Sequence, residues 1–147
     1  IAHYTGTGPE IWKDSQKSIT HFISAMGTTG TITGVSRYLK EKNSSIRIIG
    51  VQPTDGSQIP GIRKWQPEYI PKIRTKAIID QIEEIDQKAA EEMARKLAEY
   101  EGIFCGPSAA GAFAIALKIS QQVENAKIVF IVCDRGDRYL STNLFPA

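Results

Sequence analysis

The chain has 147 residues, of which 41% are hydrophobic and 23% are charged. This composition is typical of one globular domain and argues against disorder. Lys and Arg number 18 against 16 Asp and Glu, so the net charge is only +2, without the basic excess of a nucleic-acid-binding protein. No apolar run approaches the roughly 20 residues that span a bilayer. These counts predict a protein that binds neither nucleic acid nor a membrane.

Strands and helices alternate through the first part of the sequence. We predict a strand at 19–26, a helix whose apolar positions at 32–39 share one face, and a second strand at 47–51. A proline-rich loop follows at 54–76, and loops of this length in a compact domain usually have a function. A weaker strand is predicted at 78–85.

The second part of the sequence adds two helices and a strand. Asp86 is a suitable N-cap for the next helix, and Gly102 stands where a C-terminal glycine ends one. Ser108 is predicted to cap an almost wholly apolar helix, and 126–133 is a nearly continuous apolar run typical of a central strand covered on both faces. The alternation predicts an α/β fold: three αβα layers around a mostly parallel sheet.

A glycine-threonine loop lies directly after the first predicted strand and directly before a helix. Its residues are Gly27, Thr28, Thr29, Gly30 and Thr31. Glycines let the backbone approach an anion, and the N–H groups of the helix start point toward it, which favours phosphate binding. A tight turn capped by threonine would also account for the pattern. The loop lacks both the Walker signature and the dinucleotide-binding signature.

Three further segments are candidates for a ligand site. Two follow predicted strands, where the loops of α/β sheets bind ligands, and one lies in the proline-rich loop. Each has a structural alternative: a helix cap, a solvated loop with internal ion pairs, or a surface loop with a packed indole. The candidate side chains are Ser108, the pair Cys133 and Asp134, and the trio Arg63, Lys64 and Trp65.

The cysteines and histidines form no metal-binding pattern. Cys105 and Cys133 lie in or beside apolar runs, so we predict two buried thiols in a reducing, cytoplasmic setting. No Cys-x-x-Cys or His/Cys cluster is present, so no metal site is expected. His3 is predicted to be exposed, and His21 is predicted to be a structural side chain of its strand.

Together, the loops 27–31, 106–108 and 133–142 resemble those of the cysteine synthase (O-acetylserine sulfhydrylase) family of fold-type-II pyridoxal-phosphate (PLP) enzymes, its B-type isozyme above all. The resemblance runs from Ala2 to Phe145 and covers about the C-terminal half of a family member. The chain begins at Ile1 without an initiator Met or a signal-peptide pattern. We therefore expect residues 1–147 to form a C-terminal domain that binds the PLP phosphate, without the lysine-bearing N-terminal portion. Supporting segments are 2–5, 8–12, 33–37 and 59–65.

The resemblance also implies roles for single residues. The loop 27–31 would hold the PLP phosphate, and Ser108 would hydrogen-bond the pyridine nitrogen. Cys133 and Asp134 would form a polar edge on the substrate side. The segment Arg63, Lys64 and Trp65 matches an Arg-Arg-Trp segment of the B-type, which is associated with anionic sulfur donors such as thiosulfate.

The chain departs from the family pattern at three positions, and the family's catalytic lysine has no counterpart in it. Ala109 and Ala110 stand where the family has Ser and Gly, and Lys64 replaces an Arg. The family's Schiff-base lysine lies in its N-terminal half, and no lysine of this chain stands in a matching context. The resemblance therefore implies that this chain contains no catalytic residue and is inactive alone.

The implied parent protein is a PLP-dependent transferase of cysteine biosynthesis. It would replace the acetate of O-acetylserine with sulfide or thiosulfate, giving cysteine or S-sulfocysteine, as a cytoplasmic homodimer. Two alternatives stay open. One is a sister enzyme of the same fold, such as a cystathionine β-synthase or threonine synthase relative. The other is a non-catalytic binding module of half the usual length.

Overall fold

Four parallel strands form the centre of the computed structural model, which describes residues 1–146. Their order across the sheet is β3-β2-β1-β4, and each neighbouring pair is parallel. All four carboxyl ends therefore lie at one edge of the sheet. The strands are β1 (His21–Ala25), β2 (Arg47–Pro53), β3 (Gln81–Ile85) and β4 (Ile128–Phe130).

Four α-helices connect and cover these strands. A single π-helical turn, His3–Thr7, precedes the first helix, and short 3-10 turns at 67–69, 72–76 and 136–139 interrupt the long loops. Among residues 1–146, no helix is both long and apolar enough to cross a membrane. The helices are α1 (Gly8–Asp14), α2 (Gly30–Lys42), α3 (Gln87–Glu101) and α4 (Pro107–Ser120).

Alternate residues of the inner strands pack on opposite faces of the sheet. Phe22 of β1 and Ile48 of β2 pack with the apolar stripe of α2, whereas Ile23 and Ile49 pack with α3 and α4. Gly50 lies where β2 meets the α2 layer, and a methyl group there would lie only 3.0 Å from the terminal carbon of Met26. The predicted three-layer αβα fold with a parallel sheet is confirmed.

Two predicted helix boundaries are confirmed and one is wrong. The Asp86 carboxylate accepts a hydrogen bond from the Ala89 N–H at 2.9 Å, and Gly102 ends α3 with φ of +66°. Helix α4, however, begins after Gly106, which is its N-cap, so Ser108 lies inside the first turn instead of capping it. Pro107 explains the difference, because its restricted φ favours the first position of a helix.

The last strand differs from its prediction. Within residues 1–146, β4 has three residues, pairs only with β1 and is half-buried. The apolar run 126–133 predicted a central strand covered on both faces, but in the described chain β4 is an edge strand. The apolar run shows only that the strand is apolar. No described strand pairs with the other edge of β4.

Candidate cofactor site

The glycine-threonine loop leaves a polar group without a partner at the start of α2. Thr29 has φ of +68°. Its carbonyl oxygen accepts two hydrogen bonds from Thr33, one from the backbone N–H at 3.0 Å and one from the side-chain hydroxyl at 2.7 Å. The hydroxyl of Thr29 is buried and has no partner among the described residues. Since the first N–H groups of any helix also lack helical partners, the loop presents several donors to an anion.

The loop packs directly against the segment that contains Arg63 and Trp65. A methyl group on Gly27 would lie 2.6 Å from the carbonyl oxygen of Gly61, so only glycine permits this approach. The Trp65 indole N–H donates to the Gly27 carbonyl at 2.8 Å, and the Arg63 backbone N–H donates to the Met26 carbonyl at 2.9 Å. Two candidate segments that are more than 30 residues apart in sequence are therefore held together.

Gly61 also packs against the start of α4. Its φ is +93°, and a methyl group on it would lie 2.8 Å from the Ser108 Oγ. Ser108 is only 3% exposed, so its hydroxyl faces the interior of this junction. Gly27, Gly61 and Ser108 thus form a continuous wall at the carboxyl edge of the sheet.

The two adjacent cations of the segment have different surroundings. Lys64 Nζ lies 2.8 Å from the Asp55 carboxylate and 2.8 Å from that of Glu84 on β3. Hydrogen bonds to these two carboxylates raise the pKa of Lys64. Arg63 is exposed, with its guanidinium 5.6 Å from the centre of the Trp65 ring. The ion pairs described for residues 1–146 give Arg63 no carboxylate partner, so Arg63 carries the charge available to an anion.

The segment after β4 contributes the polar edge. Cys133 is exposed, which corrects the prediction of two buried thiols, while Cys105 is buried as predicted. Packing around its sulfur and the Asp134 carboxylate raise the pKa of Cys133. The hydrogen bond described for the Cys133 thiol goes to the Ile131 carbonyl, at 3.7 Å.

Sequence reasoning missed His3. It was predicted to be exposed, but it is half-buried, and its Nε2 lies 3.4 Å from the hydroxyl of Thr31 in the glycine-threonine loop. A methyl group on Gly34 would lie 2.7 Å from the His3 Cβ, so the first turn of the chain packs tightly on α2. Gly34 lies inside a helical pattern, and such a glycine often marks a place where another segment approaches the helix closely.

The other histidine lies away from the site. His21 begins β1, at the amino edge of the sheet, and its Nδ1 is 2.8 Å from the Thr20 hydroxyl. Burial and the nearby Arg47 charge lower the pKa of His21. These contacts agree with the predicted structural role.

The two alanines that follow Ser108 lie in the core. Ala109 and Ala110 are fully buried in an apolar cluster with Ala94 and Leu97 of α3. Their methyl groups stabilise the contact between α3 and α4.

Comparison with known proteins identifies the family. The sequence profile of the family described as "Pyridoxal-phosphate dependent enzyme" matches residues 1–134. The chain belongs to this family of PLP-dependent enzymes. It is 56% identical over 144 residues to Cysteine synthase B of Pseudomonas aeruginosa and 54% identical to that of Escherichia coli. Each match covers 98% of this chain and 48% of the relative, so the chain spans about half the length of the curated relatives it matches.

Solved structures of PLP-dependent enzymes show the same fold. A cysteine synthase from Entamoeba histolytica superposes with a TM-score of 0.87 at 38% identity, covering 99% of this chain and 45% of that one. An O-acetylserine-dependent cystathionine β-synthase from Helicobacter pylori gives 0.85 at 34% identity, covering 98% and 49%. The fold is therefore shared by a cysteine synthase and a cystathionine β-synthase.

The residues present fit the PLP of this family. The phosphate needs several donors and an approachable backbone. The loop offers the Thr29 hydroxyl, which has no partner among the described residues, beside the start of α2. A methyl group on Gly30 would meet nothing closer than 3.9 Å, so there is space above the helix start, bordered by Thr28 and His3. Ser108 supplies a neutral hydroxyl in the same wall as Gly27 and Gly61.

Proposed function

We propose that this chain forms the domain that binds the cofactor phosphate in a cysteine synthase, an enzyme that replaces the acetate of O-acetylserine with sulfide or thiosulfate. The product would be cysteine or S-sulfocysteine. The observation that carries the proposal is the meeting of Gly27, Gly61 and Ser108 at one sheet edge, beside the start of α2. The similarity to two Cysteine synthase B proteins supports the choice of substrates.

Each segment of the site has one role in this proposal. The N–H groups at the start of α2 and the Thr29 hydroxyl bind the phosphate of PLP. The Ser108 hydroxyl hydrogen-bonds the pyridine nitrogen, and because it is neutral it does not favour a protonated ring. When bound, PLP supplies the electron sink for removing and replacing a β-substituent of an amino acid. Arg63 attracts an anionic sulfur donor, and Trp65 keeps its segment against Gly27.

Lys64 has a different task in this proposal. Its ammonium group binds Asp55 and Glu84, and it thereby ties the loop to β3. Among residues 1–146, Lys64 is bound by two carboxylates, whereas the described ion pairs give Arg63 none. We expect selectivity for an anionic donor to depend on Arg63 alone.

The assembly and compartment are further parts of the proposal. The resemblance to cysteine synthases supports a cytoplasmic homodimer. Both cysteines are free thiols, which fits a reducing compartment. Sedimentation of the fusion protein described next would measure its oligomeric state.

The experiment compares the chain alone with a fusion. Mixed with O-acetylserine, sulfide and PLP, the 147-residue chain should form no cysteine above a no-protein control. Joined behind the first half of Cysteine synthase B from Pseudomonas aeruginosa, it should form cysteine, with that intact enzyme as the positive control. Turnover by the chain alone would contradict the proposal that it contains only part of the active site. In a parallel assay with homocysteine in place of sulfide, a folded, PLP-loaded fusion that makes cystathionine, and that makes no cysteine from sulfide, would favour the sister enzyme instead.

A further inference from the structure

Thr29 has a backbone conformation that is unusual for its residue type. Among residues 1–146, four residues other than glycine have a positive φ, and Thr29 is buried whereas the other three are exposed. Side chains branched at Cβ avoid this left-handed region most strongly. Although Thr29 is the N-cap residue of α2, its hydroxyl does not cap the helix and has no partner in the described chain. A strained, buried residue with an unused hydroxyl indicates a functional position.

Thr33 makes a hydrogen bond that fixes this conformation. Its backbone N–H donates to the Thr29 carbonyl at 3.0 Å, which is the ordinary bond of a first helical turn. Its side-chain hydroxyl donates to the same oxygen at 2.7 Å, and a helix does not require this second bond. Since Thr33 is only 3% exposed, little water competes for the bond. The Thr29 carbonyl is therefore held by two donors of one residue.

The held carbonyl determines where the next amide points. The peptide between Thr29 and Gly30 is trans. In such a peptide the C=O and the following N–H lie in one plane and point in opposite directions. Because the Thr29 carbonyl points along α2 toward Thr33, the Gly30 N–H points out of the helix start. This N–H is one of the donors that a helix start offers to an anion.

The Thr33 hydroxyl also contacts a second segment of the chain. It lies 3.4 Å from the Ile73 carbonyl in the 3-10 turn 72–76. One turn further along α2, the Ser36 hydroxyl accepts a hydrogen bond from the Ile78 N–H at 3.0 Å. Both hydroxyls are buried, but the bonds described for residues 1–146 place only that of Thr33 on the Thr29 carbonyl. Ser36 is therefore a matched control for Thr33.

We propose that Thr33 is a positioning residue: its hydroxyl holds the peptide between Thr29 and Gly30, and it thereby orients the donors that bind the cofactor phosphate. Thr33 itself contacts no ligand and acts through Thr29. The inference rests on the proposed function for the identity of the anion. The contacts within the chain stand apart from it.

The test compares two ligands that differ only in the phosphate group, pyridoxamine 5'-phosphate and pyridoxamine. Neither has an aldehyde that could react with lysine side chains. Thr33→Val keeps the shape of the side chain and removes the hydroxyl. In calorimetric titrations of the 147-residue chain, this change should lower the affinity for pyridoxamine 5'-phosphate about three- to tenfold. The affinity for pyridoxamine should not change.

Two further variants separate positioning from loss of stability. Thr33→Ser keeps the hydroxyl, so it should bind pyridoxamine 5'-phosphate like the unaltered chain. Ser36→Ala removes a buried hydroxyl of the same helix, so it should lower the stability in urea unfolding and leave this affinity unchanged. An unchanged affinity in Thr33→Val would overturn the proposal, as would a loss of equal size in Thr33→Ser or in Ser36→Ala. Should Thr33→Val fail to fold by circular dichroism, Thr33→Ala takes its place with the same expectations.

Amide hydrogen exchange without ligand makes the result independent of the proposed function. The amide at position 33 donates to the Thr29 carbonyl, so it should exchange faster in Thr33→Val than in the unaltered chain and Thr33→Ser. An unchanged exchange rate would overturn the positioning role. If the unaltered chain does not distinguish pyridoxamine 5'-phosphate from pyridoxamine, the proposed function fails, and the exchange rate alone then decides whether Thr33 holds Thr29.

Discussion

Replacing Gly61 with Ala tests whether its approach to Ser108 holds the site together. Gly61 has φ of +93°, and the new methyl group would lie 2.8 Å from Ser108 Oγ and 3.1 Å from Ser108 Cβ. The backbone conformation alone costs an L-residue about 1–2 kcal/mol. Overpacking against buried Ser108 adds about 1–3 kcal/mol, because α4 cannot move away freely. We therefore expect the free energy of unfolding to fall by about 2–5 kcal/mol.

Gly56 in the same loop provides the matched control. Its φ is +81°, and a methyl group there would meet nothing within 4 Å. Gly56→Ala should therefore cost only the conformational part, about 1–2 kcal/mol. Urea unfolding followed by circular dichroism measures both losses, and titration with PLP measures cofactor affinity, which should fall for Gly61→Ala only. Equal losses for the two variants, with equal PLP affinity, would refute the role given to the contact between Gly61 and Ser108.

Three other changes probe the site and the sheet. Thr29→Val removes a buried hydroxyl that has no partner among residues 1–146, so the free energy of unfolding should rise by about 1 kcal/mol. PLP affinity should fall about tenfold, because one hydrogen bond to the phosphate is lost. Lys64→Met should speed chymotrypsin cleavage of the loop 54–66, whereas Lys96→Met, which removes an ion pair within α3, should not. Burial tends to raise the pKa of Asp80, but the Lys40 ammonium and a backbone N–H outweigh it and lower that pKa. Asp80→Asn should therefore cost about 1–2 kcal/mol at pH 7 in urea unfolding, and the cost should shrink below about pH 4.

Each of these expectations has an opposite outcome. If Thr29→Val weakens both stability and PLP affinity, its hydroxyl has a structural partner. If Lys64→Met and Lys96→Met behave alike in proteolysis, Lys64 is an ordinary surface cation. The contribution of a carboxylate with a lowered pKa is present above its unfolded value and is lost as the pH falls through the folded value. A loss for Asp80→Asn that stays constant down to pH 2 would therefore contradict the ion-pair explanation.

The fold was largely predictable because its signals are local. Ala90, Ala94 and Leu97 recur at the spacing of one helix face, and all three are buried in α3. The cap at Asp86 depends on residues three positions apart and was found correctly. The edge position of β4 was not predicted. An apolar sequence indicates a strand, but it does not show whether a second strand pairs with each edge of it.

The site was predictable where it depends on strand and helix order, and less so where it depends on loop packing. A ligand loop between a strand and a helix must lie at the carboxyl edge of a parallel sheet, so the position of Gly27 followed from the sequence. The binding of Lys64 by Asp55 and Glu84 did not, because it depends on how the loop returns to β3. His3 contacts a residue 28 positions away, and no periodicity reports such a contact.

The strand order has a consequence for how the chain folds. Strands β1, β2 and β3 are neighbours in both sequence and space, whereas the contact between Thr20 and Lys127, where β1 meets β4, spans 107 residues. Closing so long a loop is entropically costly and tends to be late in folding. We expect pulse-labelling hydrogen exchange to show the amides of β1 and β2 protected before those of β4. The glycine-threonine loop would then form early, and the segment with Cys133 and Asp134 would join it in the last step.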